Sequence, residues 1–227
     1  MDNLSAFDVL KVILEIADTI KYRAMLNERY LHHFFTHLIQ EQQHKILNLT
    51  EDDAIKLHPE WPTYKESTGL CYGRYKHYKK DLNYYCGYWP EQDGGPGFID
   101  FAIGCYDEPD FGIEFTLSYG WSGEKVVFDC IKLLDIDNPF STSISFNLVF
   151  RKNGLVQKKS LANFIEAMNN SFNTAVDRLK SRNRLCDTSK RDFYLIVTEI
   201  SKDNEKRHWH YKKTTDRFEC GLSERVK

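Results

Sequence analysis

Two runs near the middle of the chain alternate hydrophobic residues with small or polar ones. In the first, Ile99, Phe101, Ile103 and Cys105 fall on one side, and Asp100, Ala102 and Gly104 on the other. In the second, Ile113, Phe115, Leu117 and Tyr119 oppose Gly112, Glu114, Thr116 and Ser118. A period of two marks a strand with one buried face, so the two runs are expected to form an antiparallel pair. Pairing Asp100 with Thr116 leaves Asp107, Glu108 and Pro109 as the loop. Glu114 then becomes a diagonal neighbour of Asp100, about 7–8 Å away. The period next becomes helical. Val126, Val127, Cys130, Ile131 and Leu134 make one stripe, Ser122 stands at the N-cap position, Glu124 suits the first turn, and Asp137-Asn138-Pro139 ends the helix.

The flanking regions show the same two periods. Residues 1–58 contain neither Pro nor Gly, and Ser5 with Asp8 offers a capping-box start. Leu10, Ile13, Leu14, Ala17 and Ile20 predict one helix, and Leu31, Phe34, Phe35 and Leu38 a second, with a break near Asp18–Arg23. Thr50 begins a short third helix that Pro59 stops. Residues 70–89 read as a hairpin turning near Lys80–Asn83, followed by a Gly-rich loop over 92–97. Ser143–Phe150 is a strand, 160–183 a helix capped by Ser160, Phe193–Ile200 a buried strand, and 206–213 a last strand with a basic edge. The expected architecture is a single α/β domain over 1–227: N-terminal helices in 1–58, core strands and helix in 70–155, a C-terminal helix and strands in 156–227. Its mixed sheet should hold about five to seven strands.

Composition narrows the setting. The chain has 227 residues, 41% hydrophobic and 28% charged, which is ordinary for a globular protein with a real core. A net charge of −2 supplies no global field to attract nucleic acid, so any such contact must use local patches. The six cysteines include no C-x-x-C pair, which argues against a thiolate zinc site, and Cys105 and Cys130 read as small core residues. No basic region opens the chain, and Lys11 and Glu15 interrupt the apolar stretch Val9–Ile20. A signal peptide and a membrane span are therefore not expected, and a cytoplasmic protein with reduced thiols is.

Chemistry enters with the acids. Carboxylates are disfavoured in strands, yet Asp100 and Glu114 each sit inside one among small neighbours. Two such carboxylates could share one hard divalent cation; the plainer role is to wet a solvated sheet face. Lys125, one turn before Asp129, reads as half of a surface ion pair. Glu28 and His32 are four apart on a helix, as are His33 and His37, a spacing that suits a transition metal if a third ligand exists. Without one, solvated or partly buried histidines are the simpler reading. His208 and His210 share a strand face, a weaker signal of the same kind. Arg74, Lys76 and Lys80 share a face with Tyr72 and Tyr78. Cations interleaved with rings can line a nucleic-acid groove, or protect a sheet edge.

An acid on one strand, a second in Ile113-Glu114-Phe115-Thr116 on the next, and the Lys125–Leu134 helix after them resemble the core of the PD-(D/E)xK nuclease superfamily. The helix ERYLHHFFTHLI would supply Glu28, and His58-Pro59-Glu60-Trp61-Pro62 resembles the Glu-bearing segment ahead of the acid strand in many members. The resemblance implies a restriction-endonuclease-like sheet and hydrolysis of phosphodiester bonds, with DNA the expected partner. It implies a Mg2+ or Mn2+ ion on Asp100 and Glu114, completed by Glu28 and Glu60. A homodimer is among the arrangements it allows. The family expects a lysine two residues after the second acid, where this chain has Thr116. Some members move that lysine to the following helix, which makes Lys125 the substitute; failing that, the chain would be an inactive binding module on the same fold.

Overall fold

The alternating runs become the centre of a six-stranded sheet. The structure, a computed structural model, describes residues 6–22, 27–45, 56–65, 70–71, 73–79, 87–187 and 189–212. In chain order the elements are α1 (Ala6–Thr19), α2 (Glu28–Lys45), β1 (Leu57–Pro62), β2 (Tyr64–Lys65), β3 (Leu70–Cys71), β4 (Arg74–Tyr78), β5 (Gly87–Pro90) and β6 (Gly95–Pro96). They continue with β7 (Phe98–Gly104), β8 (Pro109–Ser118), α3 (Gly123–Leu134), β9 (Thr142–Arg151), α4 (Lys158–Ser181), β10 (Asp192–Ser201) and β11 (Lys206–Lys212). The main sheet runs β1-β7-β8-β9-β10-β11. β1, β7 and β8 are antiparallel neighbours; β8, β9 and β10 are parallel; β11 returns antiparallel. The two parallel steps are the ones bridged by α3 and α4, as a parallel connection requires.

Helices cover both faces. Ile13, Ile16, Leu31 and Phe35 of α1 and α2 pack on Phe101, Ile113, Phe115, Phe146 and Phe150. Val126, Cys130 and Ile131 of α3 and Met168, Phe172 and Leu179 of α4 form the opposite core with Leu195 and Val197. The expected α3 stripe is buried throughout. Among the described residues no helix is long and apolar enough to cross a membrane.

Several expectations need correction. The β7–β8 register is Phe101 with Ile113 and Ala102 with Gly112, so Pro109 lies in β8 rather than the loop, and a Gly104 at φ 121 absorbs an irregularity beside it. The ladder ends at Phe101–Ile113, a register two residues away from the expected pairing of Asp100 with Thr116. Strict alternation also fails at Asp100. Phe101 joins the core under α1 and α2, while Ile99 joins the core under α3 and α4. On β1, Leu57 and Trp61 divide in the same way. Between them Glu60, which faces Asp100 across the ladder, takes a left-handed φ of 51 that turns the ribbon over. Cys105 is exposed because β7 ends one residue earlier, and Tyr119 is exposed beyond the end of β8. α4 starts at Lys158 with Gln157 as N-cap, so Ser160 lies inside the first turn. The third helix expected at Thr50, the turn near Lys80–Asn83, Tyr72 and Lys80 lie outside the described residues.

Candidate metal centre

The N-terminus of α2 is held by Asn27, whose side-chain oxygen accepts the Tyr30 N–H at 3.2 Å. Leu31, Phe35 and Leu38 turn one side of α2 into the core. That docking brings Glu28 and His32, one turn apart, over the start of β7. The His32 ring packs edge-on to Phe101 at 5.2 Å between centroids and tilted to Phe115 at 5.8 Å. Its Nε2 is sealed from solvent and stands 3.5 Å from Asp100 Oδ2, too long for a good hydrogen bond. The β7–β8 ladder stops at Phe101–Ile113, and the next N–H on that side of β8, from Phe115, is taken by Asp100 Oδ2 at 2.7 Å. One ligand-type atom from each of Glu28, His32 and Asp100 lies within 4.8 Å of the other two, and all three residues are half-buried.

Charge ties the group together. Burial works to raise the Asp100 pKa, but His32 and the Phe115 N–H outweigh it and hold the carboxyl below its ordinary range. For His32, burial pulls the other way from its neighbours; Asp100, then Glu28 and Glu60, prevail and raise the imidazole. Glu60 thus contributes negative potential from the facing strand. Glu28 Oε2 accepts from Lys125 Nζ.

The second strand acid has a different setting. Glu114 and Lys132 are buried side by side as an ion pair, and Lys132 Nζ also reaches Asp129 at 3.3 Å and the Phe98 carbonyl at 2.8 Å. Burial pushes the Glu114 pKa well up, with Lys132 opposing. Burial would lower Lys132, but Glu114 and Asp129 outweigh it and keep the ammonium charged. Thr116, at the position where the resemblance expects lysine, donates its hydroxyl to Asp129 at 2.7 Å.

Of the residues singled out from sequence, the structure brings Glu28 and Asp100 together, with Glu60 nearby and Lys125 bound to Glu28. The expected Lys125–Asp129 surface pair does not form, since Asp129 is buried and engaged by Thr116 and Lys132. Glu114 is engaged in the interior. The basic hairpin face is held locally: Lys76 pairs with Asp93 at 2.7 Å, Arg74 Nε donates to the Gly94 carbonyl at 2.9 Å, and the Tyr78 hydroxyl meets Glu91 at 3.4 Å. His33 and His37 are exposed, His37 lying 3.7 Å from Glu41. His208 is buried, its Nδ1 3.0 Å from Thr198 Oγ1.

Two residues carry more than the sequence reading gave them. His32 had a visible signal in its spacing from Glu28. Lys132 stands in the run Cys130-Ile131-Lys132-Leu133-Leu134, and a charge amid such apolar residues is itself a sign of a buried partner. Neither a family model, nor a protein of known function, nor a solved structure matches the chain.

Proposed function

We propose that the protein is a divalent-cation-dependent phosphodiester hydrolase acting on nucleic acid, DNA by preference, with a restriction-endonuclease-like core. The order of elements supports the reading: a helix bearing Glu28, three antiparallel strands, α3, and then a parallel strand. The observation that carries it is the convergence of Glu28, His32 and Asp100 within 4.8 Å.

The residues fit a dication. Two carboxylates balance its charge, and a buried imidazole nitrogen lacking a good hydrogen bond supplies a third donor. A bound ion would lower the pKa of a water and polarise a phosphoryl oxygen. Asp100 is oriented for ligation by the Phe115 N–H, the kind of outer contact that fixes a ligand carboxylate. Lys125 supplies positive charge beside Glu28, where an anionic phosphate would approach. Glu60 adds a further carboxylate at the edge of the group.

The test is cleavage of single- and double-stranded DNA and of RNA by the wild type with Mg2+ or Mn2+, beside Asp100→Ala. Loss of cleavage in the variant is expected; no cleavage by the wild type with any ion or substrate removes the enzyme reading. A second reading then stands, a binding module without catalysis. It is favoured by Thr116, bound to Asp129, standing where the resemblance expects a lysine, and by the engagement of Glu114 with Lys132. Nucleic-acid binding that falls steeply with salt and survives Asp100→Ala would support that module.

A further inference from the structure

We propose that the ion is held through His32 Nε2 together with the carboxylates of Glu28 and Asp100, and that it is a late first-row dication such as Zn2+ rather than Mg2+. The inference rests on reading this cluster as a metal centre, and it fixes the class of ion. Mg2+ is small, seeks six oxygens and keeps most of its waters. An imidazole in the ligand set favours zinc and its neighbours instead.

The geometry agrees. Donors about 2.1 Å from a tetrahedral ion stand about 3.4 Å from one another, and His32 Nε2 and Asp100 Oδ2 are already 3.5 Å apart. Phe101 and Phe115 hold the ring in place on one side, and the Phe115 N–H holds the carboxylate on the other. Glu28 is the adjustable member. It sits in the first turn of α2, is 30% exposed, and now faces Lys125. Two carboxylates neutralise one dication, so an arriving ion takes the place of the Lys125 charge. Lys125 is therefore a competitor of the metal as well as a neighbour.

Isothermal titration of the EDTA-stripped full chain with Zn2+ and, separately, Mg2+ tests this. Zn2+ should bind at least about a hundredfold tighter than Mg2+, and His32→Gln should weaken Zn2+ about tenfold or more, in line with the ligand's share of affinity, while leaving Mg2+ unchanged. Lys125→Ala should leave Zn2+ binding equal or tighter. Glu28→Gln, a change at the solvent-facing end of α2, should weaken Zn2+ like His32→Gln and serves where the latter fails to fold. Equal affinity for the two ions, or Zn2+ binding indifferent to both His32→Gln and Glu28→Gln, overturns the inference. Zn2+ bound through His32 without cleavage of any nucleic acid would sink the hydrolase reading alone. Mg2+-driven cleavage indifferent to His32→Gln would sink this one alone.

Discussion

Replacing Lys132 by methionine should destabilise the protein far more than the same change at Lys125, seven residues earlier on the same helix. Lys132 is 6% exposed and meets Glu114 at 3% and Asp129 at 4%, with the Phe98 carbonyl as a further acceptor. Removing one partner of a buried ion pair leaves the other charge uncompensated and costs about 3–5 kcal/mol. Against a total stability of about 5–15 kcal/mol that is a large fraction. For a chain of this length each kcal/mol moves the melting temperature by about 2–4 °C, so Lys132→Met should melt about 6–20 °C lower. The Lys125–Glu28 pair is 39% and 30% exposed, and such a pair contributes about 0–1 kcal/mol. Urea unfolding of both single variants gives the comparison. A third variant, Glu114→Leu with Lys132→Met, should recover about 1–3 kcal/mol of the loss, because one of the two buried carboxylates that Lys132 compensates is then removed with it. Asp129 keeps the Thr116 hydroxyl in that background. The reasoning fails if Lys132→Met unfolds within about 1 kcal/mol of the wild type, or if Lys125→Met costs as much.

Two further outcomes follow from the site and the sheet. In EDTA, Asp100 should contribute stability above its ordinary pKa of 3.8, lost as pH falls through its lowered folded value. His32 should contribute stability that is complete below its ordinary 6.5 and lost as pH rises through its raised folded value. Urea unfolding from pH 3 to 8 should therefore show an alkaline decline in the wild type that His32→Gln lacks; parallel curves for the two proteins would contradict the pairing. At Gly112 on β8 an added methyl would sit 2.7 Å from the Phe140 ring. Gly112→Ala should thus cost about 1–3 kcal/mol by overpacking, despite the better strand propensity of alanine, and unchanged or increased stability would show that Phe140 yields freely.

What the chain made legible follows the range of the interactions involved. The central strands, α3 and α4 rest on local periodicity, and α3 buries the stripe of Val126, Val127, Cys130, Ile131 and Leu134 read from its spacing. The parallel order of β8, β9 and β10 follows from helices placed between them. Register did not follow, because the count of loop residues depends on how the chain turns at Gly104, where φ is 121. Nor did the side of the sheet to which each acid belongs. Parity puts Asp100 and Glu114 on one face, but alternation breaks at Asp100, beside the left-handed Glu60 of the facing strand, so that Ile99 and Phe101 enter opposite cores. The Glu28–His32 pair was visible as a spacing, while its third member needed α2 to dock across β7, a contact no local pattern encodes.

The two lysines of α3 show the limit most sharply. Lys125 and Lys132 are seven residues apart, close to two full turns, and so lie on nearly the same line of the helix, about 10 Å apart along its axis. Helical periodicity assigns both to one side and cannot say which of them meets the acid on β8. That is decided by the height at which α3 crosses the sheet, and hence by the short turn over 119–122 that launches it. In this structure the turn places Lys132 level with Glu114 and Lys125 level with the start of α2. The charge that supports the interior and the charge that borders the metal cluster are therefore separate residues. A lysine at position 116 would have pointed into the space that Asp129 and Lys132 now fill. The missing family lysine and the buried one on α3 are thus two sides of the same packing solution.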